Sequence, residues 1–213
     1  MVEIRYQKPK RFPLKGCKVI KNTLKEGEVK KLLSGKVVVE EKMDGKPVSF
    51  ETSEYIIFAE DMKKQHSIFY VLPGRYAIFD IYDKKRSVFV FSDEKLELSN
   101  AFREGKLQVD GISPTLFFPV PVIATGILRM EDLPKLIGLS AYACIKKTRE
   151  KTLMEGIVVK PYRDLFPKEF LSGKLVRTEF EKGIRTHYLR MHPQYNIIDP
   201  SVRVIEFLPS LFV

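Results

Sequence analysis

Cysteine is nearly absent. Only Cys17 and Cys144 occur in 213 residues, too far apart for a CxxC pair and too few for a disulfide ladder, so a thiolate-built zinc site is excluded and a reduced, intracellular protein is expected. Long apolar runs are also missing: none approaches the roughly 18–20 residues a membrane helix requires. The opening MVEIRYQKPKRF is charged and lacks the apolar stretch of a signal peptide, which leaves a cytoplasmic protein with no membrane partner as the expectation. Acidic residues are the minority charge, 27 Asp plus Glu against 37 Lys plus Arg, for a net charge of +10. That excess fits a polyanionic partner such as nucleic acid or nucleotide, although lysine also serves solubility. Repeats and low-complexity tracts are absent, and the length suits one domain.

Apolar runs with strand character cover residues 36–41, 54–59, 76–82, 87–91, 120–124 and 156–159. Helical patterns are fewer, at 24–33, 131–139 and 140–149, while 102–121, rich in Gly, Pro and Ser, reads as a surface loop. The fold class expected is α+β with mostly antiparallel sheet.

Chemistry concentrates first in VVVEEKMDGKPVSF, residues 37–50. Lys42 ends an apolar strand and meets Asp44 and Gly45 at once. One reading is a strand closed by a DG hairpin turn with Lys42 solvated; the other makes Lys42 a nucleophile, which requires a deprotonated amine. EGIVVKPY at 155–162 then places Glu155 before a β-branched strand that ends in Lys160, and GKLVRTEF at 173–180 supplies Lys174 and Arg177.

In that order these segments resemble the covalent nucleotidyltransferases, meaning ATP-dependent RNA ligases, DNA ligases and messenger RNA capping enzymes. Motif I resembles Lys42-Met43-Asp44-Gly45, motif IV Glu155-Gly156-Ile157-Val158, and motif V Lys174 to Arg177. FAEDMKKQHSIFYVLPGRYAIFDIYD, residues 58–83, is similar to motifs III and IIIa of RNA ligases. The resemblance implies an ATP-grasp-like adenylation domain of antiparallel sheets flanked by helices. It spans 1–213 with 181–213 as a basic and apolar extension, and the length leaves no room for an appended OB-fold. Lys42 becomes the nucleophile that forms a lysyl-adenylate with ATP.

The implied nucleotide contacts are Glu40 or Glu41 facing adenine, Asp44 and Gly45 in the turn, Glu60 of motif III, Phe79 stacking on the base, Glu155, Lys160, Lys174 and Arg177. Taken alone, Phe79 reads first as a core strand aromatic. Magnesium or manganese is implied on Asp44, Glu60 and Glu155, and Lys160 and Lys174 are expected on phosphate oxygens.

For RNA with 5′-phosphate and 3′-hydroxyl ends, the expected contacts are Lys63, Lys64, His66, Arg185 and Arg190; His66 also reads as an ordinary loop histidine. Basic and aromatic residues interleave from 181 to 192, which suits a phosphate-tracking surface or a solvated strand. The apolar end, IEFLPSLFV, is expected to pack back on the domain or on a second subunit as a homodimer contact. Pro47 and the lack of an arginine between Gly45 and Glu60 depart from the family pattern. The alternatives are therefore a DNA-nick ligase, an end-adenylating enzyme, or a degenerate member that only binds nucleic acid.

Overall fold

A computed structural model describes residues 4, 6–13, 22–177 and 193–208. The described strands are β1 (Lys10–Arg11), β2 (Val37–Glu41), β3 (Lys46–Glu51), β4 (Tyr55–Asp61), β5 (Val71–Leu72), β6 (Tyr76–Asp83), β7 (Val88–Phe89), β8 (Phe117–Pro119), β9 (Val122–Gly126), β10 (Leu139–Cys144), β11 (Lys151–Leu153), β12 (Gly156–Pro161), β13 (Gly173–Val176) and β14 (Ile197–Ile198). The α-helices among the described residues are α1 (Glu26–Leu33) and α2 (Ser92–Arg103). Strands dominate, as an α+β chain requires, and no helix among the described residues is long and apolar enough to cross a membrane.

Two sheets carry the architecture. The first has the order β1-β13-β12-β2-β9, antiparallel except for the β1–β13 pair. The second runs β3-β4-β6, with β7 and β8 sharing the far edge of β6. Successive side chains of a strand point to opposite faces, and the first sheet uses this to separate apolar from charged residues. Val37, Val39, Ile157, Val159 and Leu175 enter one core with Leu32 of α1, while Glu40, Lys42, Val158, Lys160 and Lys174 line the opposite side. In the second sheet Ile57, Ala59, Ile78 and Ile81 face a separate core with Phe102 of α2, leaving Phe58, Glu60 and Phe79 for the side shared with the first sheet.

Residues 42–45 join β2 of one sheet to β3 of the other, so the two strands do not pair and the DG segment is a crossover rather than a hairpin turn. Gly45 is required by close approach: a Cβ there would lie 2.7 Å from Met62 Sδ and 2.9 Å from Glu60 Cβ.

Other expectations need correction. Residues 140–149 are not helical, because Ser140 to Cys144 are buried one after another in β10, which pairs with β11. The pattern at 131–139 yields only a 3-10 turn, Leu133–Leu136. Residues 102–121 are not a surface loop, since Phe117 and Phe118 are fully buried in β8 beside β6. Helix α2 escaped notice because its buried positions, Ser92, Lys95, Ser99 and Phe102, are mostly polar, which erases the apolar period that marks a helix. Of the apolar end, residues 205–208 are described, and there the Leu208 N–H donates to the Val122 carbonyl (2.8 Å). Cys144 is a buried free thiol.

Candidate active site

Strand register builds this site. Ile157 lies opposite Glu41 in the β2–β12 ladder, and one step further the Lys42 N–H donates to the Gly156 carbonyl (2.9 Å). Lys42 therefore emerges beside Glu155, where Nζ donates to Oε2 at 2.6 Å. A Cβ on Gly156 would lie 2.1 Å from the Leu175 carbonyl oxygen; only glycine lets β13 approach closely enough to bring Lys174 opposite Val158. A cleft of about 260 Å³ opens here, walled by Lys42, Glu60, Phe79, Val158, Lys174 and, from the N-terminal segment, Tyr6, Lys8 and Pro9.

Phe79 reaches the cleft through a β-bulge. Phe58 pairs with Asp80 but Ala59 pairs with Ile78, so Phe79 is the extra residue of β6. The bulge shifts the alternation by one step, and Phe79 and Asp80 both turn toward the first sheet. A bulge also removes a carbonyl from the ladder, and a buried carbonyl needs a donor. Two ammonium groups supply it: Lys160 Nζ at 2.6 Å and Lys95 Nζ, carried in by α2, at 3.2 Å from the Phe79 oxygen.

Beneath the cleft these cations meet two buried carboxylates. Lys160 bridges Glu40 (2.8 Å) and Asp80 (2.9 Å), and Lys95 pairs with Glu40. Burial works against the charge of Glu40, yet Lys160 and Lys95 outweigh it and hold the carboxyl below its ordinary value. Burial likewise opposes charge on Lys160, and Asp80 and Glu40 overcome it. On Lys95 burial prevails and lowers its pKa. Tyr6 completes the cluster, its hydroxyl donating to Asp80 Oδ2 at 2.7 Å and its ring edge-on to Phe79 with centroids 5.0 Å apart.

Several expected contacts are thereby reassigned. Lys160 does not offer a free charge to phosphate, because Glu40 and Asp80 already balance it. Neither Glu40 nor Glu41 has a free carboxylate for a base. Glu41 points away from Lys95 and Lys160 and accepts from Ser140 Oγ and from the Ala141 N–H (2.9 Å). Arg177 braces the turn before Glu155 by donating to the carbonyls of Met154 (2.8 Å) and Leu153 (3.4 Å), and it is not among the residues that wall the cleft.

Asp44 secures the next loop. Its Oδ2 accepts from the N–H groups of Ser67 (2.7 Å) and Ile68 (3.3 Å). Lys63 and Lys64 are exposed at the start of that loop and His66 is half-buried; Arg185 and Arg190 lie outside the described residues. Sequence reading missed Tyr6, Lys8 and Lys95. The polar stripe of α2 concealed Lys95, and the N-terminal residues carry no pattern that ties them to a site so distant in sequence.

The expected three-carboxylate metal set is not assembled. Among the described residues no three Asp, Glu, His or Cys groups converge to hold an ion, since Asp44 is turned to backbone amides and Glu155 to Lys42. Glu60 is the exception in its environment: Oε2 is buried without a hydrogen-bond partner among the described residues, and burial, with Glu155 and Asp44 adding to it against Lys42, pushes its pKa up to about 7. Magnesium is commonly held by one or two carboxylates together with substrate phosphates and water, and Glu60 with Glu155 fits that arrangement. At the rim, burial followed by the charges of Lys42 and Arg11 lowers the pKa of Lys174, marking a basic lip suited to an anion.

No curated protein and no solved structure matches the chain. A family model described as RNA ligase matches residues 49–176. The match begins just past the crossover that holds Lys42 and takes in Glu60, Phe79, Glu155 and Lys174. With well over half of its residues inside that match, the chain belongs to the RNA ligase family.

Proposed function

We propose that the protein is an ATP-dependent RNA ligase acting through a covalent adenylate on Lys42. The observation that carries this reading is Lys42 Nζ, 22% exposed as a side chain, at a cleft between two sheets, 2.6 Å from Glu155 and facing Glu60, Phe79 and Lys174. An amine attacks phosphorus only after losing its proton, and Glu155 Oε2 is the acceptor in reach.

In the first step Nζ bonds to the α-phosphorus of ATP, the bond from that phosphorus to the bridging oxygen breaks, and pyrophosphate leaves. Lys174 and Lys8 at the lip offset the charge that grows on the phosphate oxygens, while the Phe79 ring provides a face for adenine. Glu60 and Glu155 are the residues that would hold a divalent ion bound with the triphosphate, which would supply further charge neutralisation there. In the second step a 5′-phosphate oxygen of RNA displaces Nζ from phosphorus and restores the lysine. In the third a 3′-hydroxyl attacks the 5′-phosphorus and releases AMP, leaving a 3′,5′-phosphodiester.

Incubation with ATP labelled at the α-phosphate and magnesium is expected to label the protein, with an added AMP mass on the peptide that contains Lys42, and Lys42→Ala is expected to abolish both. Wild-type protein that takes up no label would refute the mechanism. Sealing assays on nicked RNA, nicked DNA and single-stranded ends then distinguish an RNA ligase from a DNA-nick ligase or an end-adenylating enzyme.

A further inference from the structure

The β10–β11 loop stands apart from the nucleotide cleft yet is tied to its rim. Residues 145–151 read IKKTREK, four cations to one carboxylate, and 145–150 are all exposed. The loop is ordered by its backbone: the Ile145 N–H donates to the Glu150 carbonyl and the Arg149 N–H to the Ile145 carbonyl, each at 2.8 Å, with Arg149 in the left-handed region at φ 63°. Lys146 and Arg149 sit over the Phe69 ring, 5.5 and 5.2 Å from its centroid, a contact that holds two cations side by side.

The 193–196 segment joins this loop to the one that follows β4. Lys146 Nζ donates to Gln194 Oε1 at 3.4 Å, Tyr195 bridges to Lys64, and the Asn196 N–H donates to the Lys63 carbonyl at 3.1 Å. Tyr195 lies in the middle of this surface, 52% exposed.

Of the exposed cations elsewhere some are paired, as Lys30 is with Glu26 at 2.8 Å and Arg163 with Glu169 at 3.1 Å, while others such as Lys31, Lys85 and Lys168 stand singly and are not gathered on one loop. Lys63, Lys64, Lys146, Lys147, Arg149 and Lys151 form no ion pair with a carboxylate among the described residues. Glu150, the one acid in the loop, is bonded to Thr148. Like charges gathered this closely repel one another, and a polyanion laid across them removes that cost. The elements that carry this surface also bond to the residues on either side of Lys42, β10 through Ser140 and Ala141 on Glu41 and the loop after β4 through Ser67 on Asp44.

From this geometry we infer that the β10–β11 loop, Lys63, Lys64 and Tyr195 form the docking surface that leads an RNA strand to the cleft. Phosphates lie on the six cations and one base stacks on Tyr195. The inference rests on the RNA-ligase reading, and its test keeps the two apart, because binding reports on this surface and adenylation on Lys42.

The probe is a labelled, 5′-phosphorylated oligouridylate titrated at several salt concentrations against the full chain. The triple variant Lys146→Ala, Lys147→Ala, Arg149→Ala is expected to lose at least about tenfold in affinity and to flatten the slope of log affinity against log salt by about 2 for three lost contacts. Its rate of adenylation should match wild type. Tyr195→Ala is expected to weaken binding about fivefold or more with the slope unchanged, as loss of stacking requires. A control, Lys31→Ala, Lys85→Ala, Lys168→Ala, removes equal charge from exposed positions elsewhere and should bind nearly as wild type. Wild-type affinity and slope in the loop variant, or an equal loss in the control, would overturn the inference whether or not Lys42 is adenylated.

Discussion

Glu41 carries a charge that burial opposes. It is 2% exposed and, despite hydrogen bonds from Ser140 and Ala141, burial lifts its pKa to about 7 from an ordinary 4.5. Between those two values the folded protein keeps a proton that the unfolded chain has lost, so stability declines as pH rises through that window. Above it the folded state carries a buried carboxylate that costs about 3 kcal/mol at most. Glu41→Gln retains an acceptor for Ala141 and removes the charge. Thermal melts should find the variant more stable than wild type at pH 8.5 and level with it near pH 4.5. Lys95 poses the reverse case. Lys95→Met withdraws one of two cations from Glu40 and one of two donors from the bulge carbonyl of Phe79. A loss of about 3 kcal/mol is expected in denaturant unfolding, the low end for a broken buried pair because Lys160 remains. A raised KM for ATP should accompany it as Phe79 loses its fixed position.

Among the elements, those built on short apolar runs were readable from sequence alone: β2, β4, β6 and β12 coincide with the runs at 36–41, 54–59, 76–82 and 156–159. Those runs put Lys42 and Glu155 at strand ends, and the resemblance of residues 58–83 to RNA ligases singled out Glu60 and Phe79, the latter in mid-strand. Elements that bury polar groups were not readable in this way. Helix α2 buries Ser92, Lys95 and Ser99, and β10 presents an alanine-rich run whose pattern suits a helix until its pairing with β11 is known. The partners of Lys160 and Arg177 were hidden for another reason, since a sequence shows a charge but not the carboxylate or carbonyl that will claim it. Gly156 tests how tightly the strands must fit. Gly156→Ala places a methyl against the β13 backbone and should cost about 3 kcal/mol, the upper end for overpacking, with loss of adenylation as Glu155 and Lys174 separate. Wild-type stability in that variant would show that β12 and β13 can move apart freely.

For the molecule as a whole, the cleft is a seam between two sheets, each with its own apolar core, and a ligand that spans the seam should stabilise both. ATP at 100 times its dissociation constant adds about 2.7 kcal/mol. For a chain of this size that raises the melting temperature by roughly 5–10 °C, measurable by differential scanning fluorimetry. Phe79→Ala should abolish most of the rise. The order in which the chain is made also matters. Lys42 is separated from Glu155 by 113 residues, and at about 5–20 residues per second a ribosome needs roughly 6–20 s to cover that distance. Until residue 126 is made β2 has neither partner beside it, and from then until β12 is complete its Val37 to Val39 edge on the β12 side is still open to other chains. On the mechanism proposed above, adenylation follows the completion of β12, and a fragment that ends before it is expected to keep one edge of β2 open and to hold Lys42 without Glu155.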